Sequence, residues 1–231
     1  MSSKLALRRG PIVTYSVSVT NKSGLQQNVA VYIGDSSDNS DFSLVWWLKS
    51  INNSGNATFS WDGNDYGLGW GNTSGQIDIG VKFSQGQDPT PASPNVVVGN
   101  NALPIGYNNA GFFSGKPYSD NKITDKLKVS TDSSFTVYNA LTMGIALFIN
   151  KLPAIIMQGS PNMNYYFMIP KLSYYLVVTD FKQGAVLPTM YSMYNRSISE
   201  HSMGKPVIIP FGAGAENLAY TLDGSLNFIA N

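Results

Sequence analysis

The chain of 231 residues contains no cysteine, which excludes disulfide bonds and thiol chemistry. It has one histidine, His201, so any mechanism that depends on an imidazole must use that residue. Neither G-x-S-x-G nor H-E-x-x-H occurs, and no zinc-binding set of His and Cys can be assembled. The two glutamates, Glu200 and Glu216, show no pairing that indicates a glycosidase. We expect no catalytic residues, no cofactor and a protein that is not an enzyme.

Charge is also scarce, because Asp, Glu, Lys and Arg make up 13% of the residues and the net charge is +1. A surface of this kind creates no field that attracts polyphosphate, so we expect no nucleic-acid partner. Small net charge also leaves little repulsion between copies, which favours a homo-oligomer. Residues 1–10 carry the basic cluster Lys4, Arg8 and Arg9, and we interpret them as a flexible tail before a single domain at 11–231.

Long apolar runs are absent as well. The most apolar stretch, 141–159, is interrupted by Asn150, Lys151 and Pro153. Neither half reaches the roughly 18 to 20 residues of a membrane-spanning helix. The N-terminus has charges without a following apolar region, so no cleavable signal peptide is visible. We expect a soluble protein that is cytoplasmic or exported by a non-classical route.

What the sequence does contain is a period of two. In 12–20, Val13, Tyr15, Val17 and Val19 alternate with Thr14, Ser16 and Ser18, as in a half-buried antiparallel strand. The stretch 75–83 alternates in the same way. No stretch sustains a helical pattern, and no internal repeat is evident. The fold class that this pattern predicts is all-β, a two-sheet antiparallel sandwich of jelly-roll type with many short strands and long loops. Further strands are predicted at 29–33, 44–48, 57–61, 95–99, 126–130, 134–139, 145–149, 174–178 and 206–210.

Two connections have distinct signals. Residues 84–95 include three prolines and predict a long loop across one end of the sandwich. Residues 218–229 contain Asp223-Gly224 between two alternating runs, which predicts a hairpin with a two-residue turn.

The stretch 60–80, SWDGNDYGLGWGNTSGQIDIG, allows three interpretations: a calcium loop, an aromatic platform for a sugar, or a long turn. Counted from Asp62, a calcium loop of the EF-hand type requires an oxygen ligand where Tyr66 stands and Glu where Thr73 stands. The acidic stretch 35–41 also lacks a glycine and a closing carboxylate. We therefore predict no metal site and favour turns in which Asp and Asn bond their own backbone, while an irregular calcium site stays open.

The aromatic residues of this stretch are the candidate binding groups. Trp46 and Trp47 are neighbours in a predicted strand, so they should point to opposite faces. Rings in a Gly-rich loop, beside Asn and Asp, suit a saccharide site, since a ring covers sugar C–H groups and amides reach hydroxyls. The alternative is that these rings close one end of the sandwich. The candidate ligand-binding residues are Trp47, Trp61, Asp62, Asn64, Asp65, Tyr66 and Trp70.

The chain also resembles a known family. Residues 158–187 contain a Gln-Gly-Ser-Pro-Asn turn, a Tyr/Phe strand, a Pro-containing turn, a Tyr-Tyr strand and a Gly-centred turn. Together with YSVSVTNKSG at 15–24, this order resembles the RhiA-like rhizosphere-expressed proteins of plant- and animal-associated bacteria. The resemblance implies a host-associated protein made under population-density control, and it supplies no catalytic residues.

Our functional hypothesis is a bacterial interaction protein that binds a carbohydrate or a host surface through aromatic, Asn- and Gly-rich loops. One alternative is a self-assembling coat, inclusion or filament subunit, because exposed strand edges invite pairing. Another is a membrane-active toxin in which 141–157 rearranges into a barrel hairpin, since Met143, Ile145, Leu147 and Ile149 alternate with Gly144, Ala146, Phe148 and Asn150.

Overall fold

A computed structural model describes residues 13–35, 41–188, 203–212 and 214–231. Almost all of its regular structure is β-strand, and a single 3-10 turn spans Ile169–Lys171. Its all-β class is the one that the alternating sequence predicts. The strands, in chain order, are β1 (Thr14–Asn21), β2 (Gln27–Asp35), β3 (Phe42–Ser43), β4 (Trp47–Ile51), β5 (Asn56–Asp62), β6 (Tyr66–Thr73), β7 (Phe83–Gln85), β8 (Thr90–Ala92), β9 (Ala102–Asn108), β10 (Gly111–Ser114), β11 (Lys126–Thr131), β12 (Met143–Ile149), β13 (Leu152–Gln158), β14 (Asn164–Met168), β15 (Leu172–Val178), β16 (Val207–Ile209), β17 (Asn217–Leu222) and β18 (Phe228–Ala230).

The strands form four sheets in a sandwich-like arrangement, not the two that were predicted. Their orders are β18-β17-β1-β5, β10-β9-β11-β14, β3-β13-β12-β6-β7 with β8 also on β6, and β16-β15-β2-β4. Most neighbours are antiparallel, but β1 pairs with β17 and β11 with β9 in parallel. The predicted all-antiparallel pairing is therefore wrong at these two places, because strands distant in the chain meet there.

The pairing pattern occurs twice. Two sets of seven strands pair in equivalent ways, so that each strand of one set has the corresponding partners, in the same directions, as its counterpart in the other. In matching order, the sets are β1, β2, β4, β5, β6, β9, β10 and β11, β12, β13, β14, β15, β17, β18. The two sets are interleaved, since β1 takes β17 as its parallel neighbour while β11 takes β9. The sequence gives no sign of this repeat because strand order can be kept while side chains change.

Backbone details support the repeat. Aligning β4–β6 with β13–β15 without a gap places Ser54 on Asn162, and both have positive φ, 63° and 56°. At the matching ends of β1 and β11, Asn21 N donates to the Gly55 carbonyl and Thr131 N to the Met163 carbonyl, each at 2.9 Å. The same alignment pairs Tyr66 with Tyr174.

The main core lies between the sheets and draws side chains from Val17 to Phe228 into one buried cluster. Strand β12 is buried along its whole length, with Ile145 and Leu147 in this core and Ala146 and Phe148 in a second cluster on the other face of its sheet. Across the parts of the chain that the structure describes, no helix is long and apolar enough to span a membrane.

Three predicted strands are absent. Residues 75–80 run mainly as bends and turns that place Ile77 over the sheet of β12, with Gly80 at φ 80°, and Lys82 forms only an isolated bridge with Ala185. Residues 95–99 and 134–139 also form turns. Conversely, the predicted loop 84–95 includes β8 and part of β7.

The two-residue hairpin turn lies at a different place from the predicted one. The hairpin of β17 and β18 exists, but its connection is five residues long and includes Leu226 at φ 61°. The two-residue connection lies instead at Asn150-Lys151 between β12 and β13, where φ is 50° and 63°. Two positive φ values match the turn type that suits a tight hairpin.

Candidate functional site

The β5–β6 turn is a short structure and not a long loop. Asp62 Oδ1 accepts a hydrogen bond from Asn64 N at 2.9 Å, which is the self-bonded Asp/Asn turn that we favoured. Within the described residues, no three acidic or histidine side chains come together in a way that could hold a metal ion.

Asn150 fixes this turn from the neighbouring hairpin. Its side-chain Oδ1 accepts from Asp62 N at 3.1 Å, and its Nδ2 donates to the Asp62 carbonyl at 2.7 Å. Its backbone N donates to the Asp65 carbonyl at 2.9 Å. Three hydrogen bonds from one residue hold the turn against β12, so Asn150 positions the residues that follow Trp61.

Gly63 makes room for an aromatic ring. Gly63 N donates to the Val13 carbonyl at 2.8 Å, which brings the turn beside Tyr15 at the start of β1. A Cβ at Gly63 would collide with the Tyr15 ring. The glycine therefore allows Tyr15 to lie over the turn.

Trp61 is the centre of an aromatic group that we call the Trp61 cluster, with Tyr15, Trp46, Tyr174 and Phe211. Its ring centroid lies 6.2 Å from that of Tyr15, 5.1 Å from Trp46, 5.2 Å from Tyr174 and 5.4 Å from Phe211. Most of these pairs are tilted or edge-to-face, the arrangements that aromatic quadrupoles favour. Trp46 is held in place by its Nε1, which donates to the Ile149 carbonyl at 3.1 Å.

A pocket of about 330 Å³ opens beside this cluster. It has the size of a small ligand site, for which volumes of roughly 300 to 1,000 Å³ are typical. Its described lining contains no Asp, Glu, Lys, Arg or His. The lining comprises Tyr15, Gly63, Asn64, Tyr66, Ile169, Leu172, Ser173, Tyr174, Ile208, Ile209, Pro210 and Phe211.

The pocket lies where the two interleaved halves meet. The β5–β6 turn contributes Gly63 and Asn64, the start of β6 contributes Tyr66, and the corresponding start of β15 contributes Leu172 and Tyr174. One side is extended by Tyr15 and Phe211, whose rings are 4.6 Å apart. The repeat therefore supplies matching walls, and the added rings make the pocket asymmetric.

Two phenols of the pocket lining, those of Tyr66 and Tyr174, are neutral at physiological pH. Burial raises the pKa of Tyr174 to about 12, and the N–H of Trp61, which faces it without hydrogen-bond geometry, opposes this increase. Burial also raises the pKa of Tyr66, and nearby Tyr174, Tyr15 and Asp62 add to the effect. Both groups can donate and accept hydrogen bonds without carrying charge.

The predicted site residues are divided among three places. Asn64 and Tyr66 line the pocket, and Asp62 and Asp65 form the turn that positions them. Trp61 is 2% exposed and packs behind the pocket, so the expectation of a surface ring is wrong there. The reason is that Trp61 alternates with exposed Ser60 in β5 and points into the core.

Trp47 and Trp70 lie elsewhere. Trp47 is half-buried against the same core as Trp46, with the two rings 5.9 Å apart, because Trp46 precedes β4 and the expected alternation does not apply. Trp70 is 9% exposed in the buried strand β6, so its surface placement is also wrong. It packs 5.6 Å from Phe112, which lies 5.0 Å from Phe135 and 4.9 Å from Tyr107. We call these four residues the Trp70 cluster.

The sequence interpretation missed Tyr15, Ser173, Tyr174 and Phe211. Tyr15 was assigned to the valine face of one predicted strand and Tyr174 only to another predicted strand, and Phe211 follows the short strand β16. The Tyr174-Tyr175 doublet was the one available signal, since alternation sends one of the two rings toward the core. His201 and Glu200 lie outside the described residues, as do 1–10 and most of the acidic stretch 35–41. Glu216 Oε1 accepts from Gly214 N at 3.3 Å.

A family model for RhiA matches residues 13–201 of the chain. The chain belongs to the RhiA family. The RhiA match includes Tyr15, the β5–β6 turn and Tyr174, and it ends before Phe211. No curated protein and no solved structure is similar enough to this chain to be matched.

Proposed function

We propose that this RhiA-family protein is a non-enzymatic binding protein that holds a short neutral carbohydrate in the pocket beside Trp61, as part of contact with a host or cell surface. The supporting observation is the lining itself: several aromatic rings, the Asn64 amide, the Ser173 hydroxyl and the neutral phenols of Tyr66 and Tyr174, with no Asp, Glu, Lys, Arg or His in its described part. Ring faces cover the apolar side of a sugar, while amides and hydroxyls bond to its polar edge.

The lack of charge in the described lining selects among ligands. A charged ligand buried in such a pocket would lose hydration without gaining an ion pair, which is costly. A neutral sugar loses less, because the pocket offers donors and acceptors in return. The same lining offers no carboxylate pair or imidazole for a proton-transfer step, which favours binding over catalysis.

A glycan array and a tryptophan-emission titration test this proposal. Trp61 and Trp46 lie behind the pocket, so filling it should change their emission. Phe211→Ala removes a lining ring, and Phe112→Ala removes a ring of similar exposure from the Trp70 cluster as a matched control. We expect the response to cellotetraose, chitotetraose or mannotetraose to be lost only in Phe211→Ala. Absence of binding of the wild-type protein to any neutral glycan, or equal responses in both variants, would contradict the pocket assignment.

Self-assembly is a second candidate that specific observations favour. Edge strands β16 and β18 carry Ile208 and Ile229, which are 57% and 52% exposed. Exposed apolar edges promote strand pairing between copies. Light scattering at increasing concentration, with Ile208→Lys as the variant, tests this: a concentration-dependent oligomer that Ile208→Lys dissolves supports it, and a strict monomer argues against it. A membrane-active role has less support, because β12 is a central strand with neighbours on both sides.

A further inference from the structure

The Trp61 side chain holds a buried hydrogen-bond donor behind the pocket. Trp61 is 2% exposed, and its Nε1 has no partner among the described residues. Leaving a buried donor in this state costs free energy. Trp46, in the same cluster, avoids the cost by donating from Nε1 to the Ile149 carbonyl at 3.1 Å. Trp47 and Trp70 also have unpartnered Nε1 atoms, but the N–H of Trp61 faces a side chain of the pocket lining.

That side chain is Tyr174, and its hydroxyl is unfinished in the same sense. The ring centroids of Trp61 and Tyr174 lie 5.2 Å apart at an interplanar angle of 35°. The phenol oxygen faces Nε1 without hydrogen-bond geometry, and no described residue accepts the phenol's own proton. A donor and a hydroxyl that both lack an acceptor therefore lie next to each other at the pocket wall.

The repeat shows that this pair belongs to one wall of the pocket. Tyr66 occupies the position equivalent to Tyr174, but the position equivalent to Trp61 is Ile169. The Tyr66 phenol has Tyr174 and Asp62 among its polar neighbours. Two matching phenols therefore line the pocket, and an indole N–H lies behind Tyr174.

An acceptor inside the pocket would complete both groups. When a ligand oxygen accepts from the Tyr174 hydroxyl, the phenol oxygen can accept from Trp61, and hydrogen bonds in such a chain strengthen one another. Tyr174 is neutral at physiological pH, so it has the proton to donate. A sugar hydroxyl is a weaker match, because its own proton also needs an acceptor, whereas a carbonyl oxygen only accepts.

The same pocket has an aliphatic part. Its lining includes Ile169, Leu172, Ile208, Ile209 and Pro210. These side chains form no hydrogen bonds and favour an apolar group of the ligand, because its burial removes apolar surface from water. The acetamido substituent of a neutral sugar combines the two requirements, since it places a methyl group beside a carbonyl oxygen.

We propose that the pocket selects an N-acetylated sugar: the Tyr174 hydroxyl, backed by the Trp61 N–H, donates to the acetamido carbonyl oxygen, and the aliphatic side chains cover the methyl group. This inference rests on the proposed carbohydrate-binding function and narrows it to one class of ligand. Tyr174 determines the specificity, and Trp61 orients its hydroxyl. The volume of about 330 Å³ is at the lower end of the usual range for ligand sites, which suits the end of a sugar chain.

Isothermal titration calorimetry of the full chain with two tetrasaccharides tests the inference. Fully N-acetylated chitotetraose and cellotetraose share one backbone and linkage and differ in the acetamido groups. Without a carbonyl oxygen, the buried donors keep their unpaired state in the complex. We therefore expect the wild type to bind the acetylated tetrasaccharide about tenfold more tightly than cellotetraose.

Three variants assign this preference to its residues. Tyr174→Phe keeps the ring and removes the hydroxyl, so it should bind both tetrasaccharides with equal affinity. Tyr66→Phe removes the equivalent phenol and is the matched control, which should keep the roughly tenfold ratio. Trp61→Phe removes the N–H behind Tyr174 and should lower the ratio. Urea denaturation verifies that each variant is folded, and the ratio of affinities does not depend on tryptophan emission.

The possible failures are distinguishable. Equal affinities of the wild type for the two tetrasaccharides would overturn this inference and leave the carbohydrate-binding proposal in place. Absence of binding to either tetrasaccharide or to any other neutral glycan would overturn both. A preference for the acetylated ligand that persists in Tyr174→Phe, or that Tyr66→Phe abolishes to the same extent, would contradict the role of the Trp61–Tyr174 pair.

Discussion

Trp61 and Trp70 lie on the consecutive strands β5 and β6, yet their clusters differ in what surrounds them. The Trp61 cluster adjoins a pocket, because Gly63 admits the Tyr15 ring and Phe211 extends the wall. The Trp70 cluster is closely packed, because Gly86 lies against the Trp70 ring, Phe112 packs on that ring, and Phe135 packs on Phe112. Two tryptophans from one polar stretch therefore differ in role: Trp61 packs behind a pocket, and Trp70 belongs to a closely packed cluster. The residues that surround each ring decide between these roles.

Replacing either tryptophan should cost the most stability. For Trp61→Ala and Trp70→Ala we expect a loss of about 3 to 5 kcal/mol in the free energy of unfolding, as for other buried tryptophans. Urea denaturation measures this loss. The comparison predicts that only Trp61→Ala also loses the glycan response, and an equal effect of both on binding would remove the distinction between the clusters.

Alanine variants of Gly63 and Gly86 distinguish an effect on packing from an effect on glycan binding. Alanine at either position collides with a ring, Tyr15 for Gly63 and Trp70 for Gly86, so each variant should lose roughly 1 to 3 kcal/mol of stability. We expect Gly63→Ala to weaken glycan binding by displacing Tyr15 and Gly86→Ala to leave it unchanged. Titration by tryptophan emission distinguishes them, and normal affinity in Gly63→Ala would contradict the role of Tyr15.

Asn150 tests how the pocket wall is held. Asn150→Gly keeps the positive φ of the turn but removes the two side-chain hydrogen bonds to Asp62. At about 0.5 to 1.5 kcal/mol for each bond, the variant should lose roughly 1 to 3 kcal/mol. We also expect weaker glycan binding, because the turn that carries Asn64 and Tyr66 is released. A stable variant with unchanged affinity would show that Asn150 does not position the pocket.

The dependence of stability and of glycan affinity on pH should be the smallest of these effects. The pKa of Tyr174 is raised from 10.0 to about 12 in the folded state, so its contribution to stability is complete below about pH 10 and is lost as the pH rises through about 12. Glycan affinity should be flat from about pH 5 to about pH 9, since the phenols of Tyr66 and Tyr174 stay neutral there. Denaturation of Tyr174→Phe, which lacks this group, supplies the control for the alkaline limb.

The sequence predicts much of the fold and little of the site. Alternation in β1, β2, β5, β11, β12 and β15 correctly indicates strands, because one or both faces of each are buried. Strand β6 was missed because its glycines resemble a loop. They are instead places where Pro89, Phe148 and Phe83 pack closely against the strand.

The pocket itself depends on contacts that no local pattern encodes. Tyr15, Tyr174 and Phe211 come from β1, β15 and the end of β16, and only the interleaved pairing brings them to Trp61. The repeat is equally hidden, since Trp61 corresponds to Ile169 and Asn64 to Leu172. A family resemblance in strand and turn order was recognisable, because order is retained where side chains are not.

A titration of Phe211→Ala and Phe112→Ala with a neutral tetrasaccharide that binds the wild type tests the central claim most directly. Both rings are half-buried and each belongs to one aromatic cluster. The pocket account predicts that Phe211→Ala loses the emission change and Phe112→Ala keeps it. Binding retained in Phe211→Ala and lost in Phe112→Ala would place the ligand at the Trp70 cluster and contradict the account.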